Sequence, residues 1–371
     1  MRIAKLKLVN FRNYSNSHFD FHRNLNFLIG ENGSGKTSVL EAIHYLAMTK
    51  SFRTNLDRGV VRHTESFCQI FGDFISESGY DYAVNFNYSK SDGKKIHINR
   101  TALRRLYDIV GKIPVVVLSP SSQGITEGGP SIRRNFVDRI MSQIDFKYFQ
   151  DFLDYRSRMF QRNAILNSYR EKRSTKYDDY IETYDELLIK SAKKIYEGRI
   201  FFQEKFSEIF KETYNKISHI TGEVSIRVIS NVKGDTDKFE ESFRDRLKER
   251  FTYDVEQGRT TSGPHLDSVI IELYNREIRY VGSQGEHKIV LIALKIAEGK
   301  FLTIHTGENV IFLLDDLFAL LDIKHCMKTV NEIIGKNQIF LTSTDMNDIR
   351  RYGFKDKKSS SKIIELPVGI S

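Results

Sequence analysis

The chain has 371 residues, enough for a substantial core and two domains, and its 57 Lys and Arg against 48 Asp and Glu give a net charge of +9. Its two cysteines, Cys68 and Cys326, are too far apart for a CxxC pair, which excludes a disulfide framework and a zinc knuckle. No apolar run approaches the ~20 residues that span a bilayer, and MRIAKLKLVNFRNY at the start alternates like a strand instead of a leader, so a cytoplasmic protein with no membrane partner is expected.

Residues 2–9 alternate as an amphipathic strand, and LNFLIG at 25–30 is a short apolar strand ending on a glycine. A helix carrying apolar Val39, Leu40, Ile43 and Leu46 follows. Between strand and helix lies GENGSGKT, Gly30 to Thr37, a match to G-x-x-x-x-G-K-[ST] in the strand–helix context that gives this motif its force. Glycines let the backbone wrap a phosphate with successive N–H groups pointing inward, and the helix N-terminus adds a favourable dipole. Gly30, Glu31, Asn32, Gly33, Ser34, Gly35, Lys36, Thr37 and Ser38 are therefore the expected phosphate cradle. Lys36 would reach the β- and γ-phosphates, and the Thr37 hydroxyl would ligate Mg2+.

Next come β-rich segments, SFCQIFGDFI, YAVNFNY with its turn SKSDGKK, and KIHIN. IPVVVLSP at 113–120 is a continuous apolar run, the pattern of a strand buried on both faces. From Ser131 to about 250 the sequence is charged and helix-periodic, interrupted by the β patch EVSIRVIS. Strand–helix alternation resumes after 259 with DSVIIELY, NVIFLLDD and NQIFLTSTD. Alternation at both ends implies one discontinuous α/β domain, 1–130 and 255–371, with a mainly helical insertion at 131–254.

A phosphate loop needs an acidic partner at the end of a neighbouring buried strand. VIFLLDD at 310–316 supplies it: Asp315 would hold Mg2+, directly or through water, and Asp316 would act as general base on the attacking water. A second polar turn, Ser283-Gln284-Gly285-Glu286, opens the amphipathic helix of YVGSQGEHKIVLIALKIAEG. It reads both as a capping box, with Ser283 at the cap and Glu286 three residues on, and as a second anion-binding helix start.

The phosphate loop with its Asn32-Gly33, the strand ending in two acids and the separate Ser-x-Gly turn together resemble the ABC-type ATPases. That resemblance implies a P-loop NTPase head of the ABC type binding ATP and Mg2+. It also implies that Ser283, Gln284, Gly285 and Glu286 meet the γ-phosphate held by another subunit, so that two chains enclose two ATP molecules. Transporter subunits usually carry a histidine after the last buried strand, where this chain has Thr344; the long coiled coils and CxxC hook of other branches are absent.

NFRNY at 10–14, KSFRT at 50–54, IN at 98–99 before VVVLSP, RRNFVD at 133–138, QRN at 161–163, RTTSGPHLD at 259–267, SQGEHK at 283–288, LLDDLFALLD and LTSTD resemble the RecF family of bacterial gap-repair mediators. The resemblance runs along nearly the whole chain. It implies an ATP-dependent homodimer that binds DNA, double-stranded or at a single/double-strand junction, and works with the RecO and RecR proteins in recombinase loading. It places Arg12 near the nucleotide and Asp322 against the opposite subunit. Departures fall at Ser119-Pro120-Ser121-Ser122, at Leu266 to Ser268 and at Ala319 to Asp322, where acids, an arginine and a serine of the family pattern are missing. Asp316 is one methylene shorter than the transporter-type glutamate, which points to a slow ATPase acting as a timed clamp. Arg104, Arg105, Arg133, Arg134, Arg156, Arg158 and Arg162 are the candidate DNA contacts. A nucleotide-gated clamp with negligible hydrolysis and a transporter-type subunit are the alternatives.

Overall fold

The computed structural model describes residues 1–54, 56–172, 176–218, 223–232, 234, 236–317, 323–347 and 361–367. They form two compact units, one of Met1–Gln123, Thr213–Thr221 and Ser283–Ser371, the other of Gly124–Glu212 and Gly222–Gly282.

The first unit holds two sheets. The antiparallel one runs β2-β1-β4-β5-β6-β7, from β1 (Arg2–Phe11), β2 (Tyr14–Asp20), β4 (Phe67–Ile75), β5 (Tyr82–Ser89), β6 (Gly93–Ile98) and β7 (Thr101–Ala102). The other runs β14-β3-β13-β12-β8, from β3 (Leu25–Ile29), β8 (Val115–Leu118), β12 (Ile311–Leu314), β13 (Gln338–Ser343) and β14 (Ser361–Glu365), with every pair parallel. In β3, β8, β12 and β13 every residue is buried, which is why β8 and β12 read as unbroken apolar runs and the other two as mostly apolar ones. Helix α1 (Lys36–Met48) packs on strands of both sheets, and every residue from Ser38 to Ala47 is buried. Helix α9 (Gln284–Thr306) approaches closely enough that a Cβ on Gly299 would lie 2.2 Å from the Phe312 ring. Any side chain there would force the helix off the sheet. Helix α10 (Ile323–Ile333) packs against α9.

The second unit is built from α2 (Gly124–Glu127), α3 (Pro130–Ile144), α4 (Phe146–Glu171), α5 (Asp179–Ile217, through Glu212), α6 (Phe239–Glu249) and α7 (Phe251–Gln257). It also holds β9 (Val224–Ile229), β10 (Ser268–Leu273), β11 (Arg276–Glu277) and α8 (Ile278–Val281). Because β10 pairs antiparallel with β9, residues 255–282 group with the helices, so the chain re-enters the first unit at Ser283 instead of at 255. The first crossing likewise falls at Gln123/Gly124 instead of at 130. Among the described residues no helix is long and apolar enough to cross a membrane.

Three motifs recognised in the sequence meet inside this unit as buried ionic struts. Arg199 Nη1 lies 2.7 Å from Asp267 and Nη2 2.9 Å from Asp138, while Nη1 also donates to the Pro264 carbonyl at 2.6 Å. Arg162 donates to Asp185 at 2.6 Å, to Asp254 at 2.7 Å and to Thr260 at 3.1 Å. Asn163 accepts from the Thr260 amide at 2.7 Å. RRNFVD, QRN and RTTSGPHLD thus tie α3 and α4 to the loop before β10. Two arginines proposed for DNA are thereby excluded from it. Arg162 is fully buried, and Arg133, 4% exposed, donates to the carbonyls of Val269 and Gly128 and lies 3.3 Å from Glu277. Arg134 is half-buried on the Asp267 carbonyl; Arg104, Arg105 and Arg156 are exposed, and Arg158 is half-buried. Arg199→Ala would strand two buried carboxylates. It is expected to destabilise the protein by about 3–5 kcal/mol, read as a fall in the denaturant midpoint.

Candidate functional site

The phosphate loop sits where β3 ends. β3, β13 and β12 lie side by side and parallel, with Ile29 paired to Ser343 and Leu341 to Leu314, so their C-terminal ends share one edge of the sheet. Open α/β sheets offer their ligand crevice at that edge. Gly33 (φ +85°) and Gly35 (φ +95°) take the left-handed backbone that the wrap requires. Gly30 has no room for a Cβ, which would lie 2.5 Å from Ser34 Oγ and 2.8 Å from the Leu366 carbonyl.

The charged and hydroxyl groups at the loop's helix end have defined partners. Lys36 Nζ donates to the carbonyls of Gly30 at 2.6 Å and Glu31 at 2.9 Å, so it spans the loop mouth. Burial lowers its pKa below the ordinary ammonium value, opposed by the charges of Asp316 and Asp315. Thr37 Oγ1 donates to Asp315 Oδ1 at 2.9 Å, and Thr342 Oγ1 donates to the same oxygen at 3.0 Å. Burial raises the Asp315 pKa; the hydrogen bond from Thr37 works against that shift and the Asp316 charge adds to it. Asp316 is half-buried with φ +54°, its amide donating to Thr342 Oγ1 at 2.8 Å. A non-glycine residue held in that region is costly and concentrates at functional sites.

Lys36, Thr37 and Asp316 line a cavity of about 770 Å³, ample for a nucleotide, whereas Asp315 lies behind Thr37 and outside the lining. Asn32, Gly33, Gly35, Lys36, Thr37, Ser38 and Asp316 form part of its wall, and Arg12, Asn13, Arg53, Gly59, Val61, Arg62, His63 and Thr64 complete it. Arg12 is therefore at the cavity. It is held there by Glu41, a fully buried carboxylate on α1 that accepts from Arg12 Nε at 2.8 Å and from Nη2. Glu41 also accepts from the Ser51 hydroxyl and lies 3.6 Å from Arg53, so KSFRT and Arg12 share one anchor on the loop's own helix. Asn13 donates to the Gly33 carbonyl at 3.1 Å and Tyr14 to that of Gly35 at 3.2 Å, bracing the loop from NFRNY.

Sequence reasoning missed Glu41, Thr342, Asn13, Tyr14 and the 59–64 wall. Glu41 carried one signal, a lone acid within an apolar helix, and the others carried none beyond family likeness.

None of Ser283, Gln284, Gly285 and Glu286 lines the cavity. The first three are exposed and the fourth half-buried. Ser283 caps α9 as a full capping box: its Oγ accepts from the Glu286 amide at 3.3 Å, and Glu286 accepts from the Ser283 amide at 2.8 Å. The bonds that the Glu286 carboxylate accepts from the Ser283 amide and hydroxyl hold its pKa below the usual range. Asp322, with Ala319, Leu320 and Leu321, lies outside the described residues.

Among the described residues no three His, Cys, Asp or Glu converge as a metal cluster. Thr37 and Asp315 place two hard oxygen donors together beside the loop, which fits Mg2+ taking its remaining ligands from phosphate and water.

The RecF/RecN/SMC N terminal domain family matches residues 2–356. DNA replication and repair protein RecF of Salinibacter ruber is 36% identical over 326 residues, 87% of this chain and 79% of that protein. The chain belongs to the RecF family. The RecF of Chlorobaculum parvum is 34% identical over 370 residues, 98% and 100% of the two chains. A solved structure of the recombination mediator protein RecF with ATPrS superposes with a TM-score of 0.89 at 27% identity, covering 99% of this chain and 96% of that one. RecF with ATP gives 0.88 at 28%, covering 93% and 92%. An Smc head bound to the C-winged helix domain of ScpA gives 0.56 at 15% and shares the fold alone. The ABC-type P-loop ATPase head expected from the sequence is thus the fold of this RecF family member.

Proposed function

We propose that the chain is an ATP-dependent DNA-binding mediator of recombinational repair in which two copies close on two ATP molecules. One observation carries this reading. Groups suited to a polyphosphate are divided between a cavity and an exposed helix start, Ser283 to Glu286, that does not line it. A γ-phosphate held by Lys36 would find its remaining donors on the second copy's turn, through a hydroxyl, backbone N–H groups and a helix dipole.

Within one cavity, Lys36 exchanges the Gly30 and Glu31 carbonyls for phosphate oxygens. Thr37 and Asp315 would hold Mg2+, which would supply charge to offset that of the phosphates. Asp316 takes the proton of the attacking water. Its short side chain makes turnover slow, since misplacing a catalytic group by about 1 Å costs on the order of 100-fold. Hydrolysis then times release from DNA. Exposed Arg104, Arg105 and Arg156 remain as phosphate contacts, and RecO and RecR are the partners that the family likeness suggests, in the bacterial cytoplasm.

Two tests separate these roles. Lys36→Ala removes a buried cation from the phosphates and is expected to weaken ATP by about 2 kcal/mol or more, ~30-fold in Kd, in a nucleotide titration. An unchanged Kd would rule out the assignment. Phosphate release with and without DNA separates a slow DNA-stimulated ATPase from a clamp that does not hydrolyse; many turnovers per second without any partner would contradict the timed clamp.

A further inference from the structure

The burial of Arg133 and Arg162 removes the second unit's first candidates for a DNA surface, but another stretch of that unit is open. β10 turns into β11 through Tyr274 and Asn275, both left-handed, at φ +53° and +60°. A two-residue hairpin of this kind favours Asn, Asp or Gly at both positions. Asn275 conforms; Tyr274 does not, and an aromatic residue there costs fold stability. Its backbone is nonetheless held, the Tyr274 amide donating to the Glu223 carbonyl at 2.8 Å, and the side chain is left 45% exposed. A residue kept against its backbone preference with its ring in solvent is explained by what the ring contacts.

The next one-turn helix, α8, packs on both strands of the hairpin and presents Tyr280, 73% exposed. The Arg279 guanidinium lies over that ring, 5.5 Å from its centre, and Arg276 is exposed on β11. Acids nearby are already engaged. Glu272 is forked by Arg227, Glu277 lies 3.3 Å from Arg133, and Glu223 accepts from the Asn275 amide group at 3.2 Å. Among the described residues neither Arg276 nor Arg279 has a carboxylate within ion-pairing distance. The stretch from Tyr274 to Tyr280 thus exposes two aromatic faces and two uncompensated guanidinium groups.

That combination suits one nucleic-acid form. Guanidinium groups track phosphates on any strand, but aromatic faces need unpaired bases, which a duplex keeps stacked. We propose that Tyr274, Arg276, Arg279 and Tyr280 form a binding surface for single-stranded DNA, with unpaired bases stacked on the two rings. This inference rests on the DNA-binding reading above and adds to it which strand form this surface takes.

The test is anisotropy of a labelled oligo-dT and of a duplex of equal length, with the full chain and ATP. Tyr274→Asn/Tyr280→Ala should weaken oligo-dT ~10- to 100-fold and leave the duplex within about twofold. Its melting temperature should not fall, because Asn suits the turn better than Tyr. Arg276→Gln/Arg279→Gln should weaken oligo-dT and reduce its log–log salt slope by about 1.4. Unchanged oligo-dT affinity in the tyrosine variant overturns the proposal and assigns the surface to a protein contact. Equal losses on both DNA forms, or wild-type protein that binds duplex only, overturn it as well. Wild-type protein that binds neither form would instead defeat the DNA-binding reading on which it rests.

Discussion

Asp316→Asn is expected to lower ATP turnover by about 100- to 10,000-fold, the range for losing a general base, while ATP still binds. Asparagine keeps the shape of the side chain but cannot accept the proton of the attacking water. It is also among the residues that best tolerate the left-handed backbone at this position, φ +54°, so the hydrogen bond of the residue 316 amide to Thr342 should survive. Asp315 keeps its bonds from Thr37 and Thr342, and the candidate Mg2+ pair is left intact. The variant should therefore accumulate as an ATP-bound dimer on DNA. Single-turnover phosphate release beside a nucleotide titration checks both halves. Turnover at the wild-type rate would remove Asp316 from the chemistry.

Ser283→Arg should bind ATP as tightly as the wild type and yet lose dimerisation, and with it essentially all hydrolysis. None of residues 283–286 lines the cavity, so ATP affinity has no reason to change. Loss of the N-cap costs about 1 kcal/mol, which α9 can absorb because Val290 to Gly299 are all buried. What changes is the exposed turn itself. A long guanidinium side chain covers the hydroxyl and amides that a second copy's γ-phosphate would approach. If the Ser283 turn were only a capping box, the same substitution would cost that small stability and leave turnover untouched. The two readings of one turn, left open in the sequence, part at this experiment.

How far the sequence could be read follows from how local each constraint is. The strand, loop and helix around Gly30 to Thr37 were legible because glycine spacing states a backbone requirement directly. Asp315 and Asp316 were legible because a wholly buried strand announces where it ends. The arginines were not. Arg162 reads as one more charge on a helix until Asp185 and Asp254, 23 and 92 residues away, close around it. The chain's return to the first unit was misplaced for a related reason, since β10 takes its place from pairing with β9 and nothing in DSVIIELY names that partner. Glu41 shows the limit most plainly. An acid within an apolar helix says that a cation must come, but not that Arg12 and Arg53 both come from the cavity wall.

Sedimentation velocity of wild type and Ser283→Arg, each with saturating ATP and Mg2+, tests the two-chain site most directly. Wild type should shift from monomer to dimer on adding ATP, whereas Ser283→Arg should remain a monomer with ATP bound. Normal ATP-driven dimerisation of Ser283→Arg, or a wild type that stays monomeric with ATP and DNA together, would contradict a nucleotide shared between two copies.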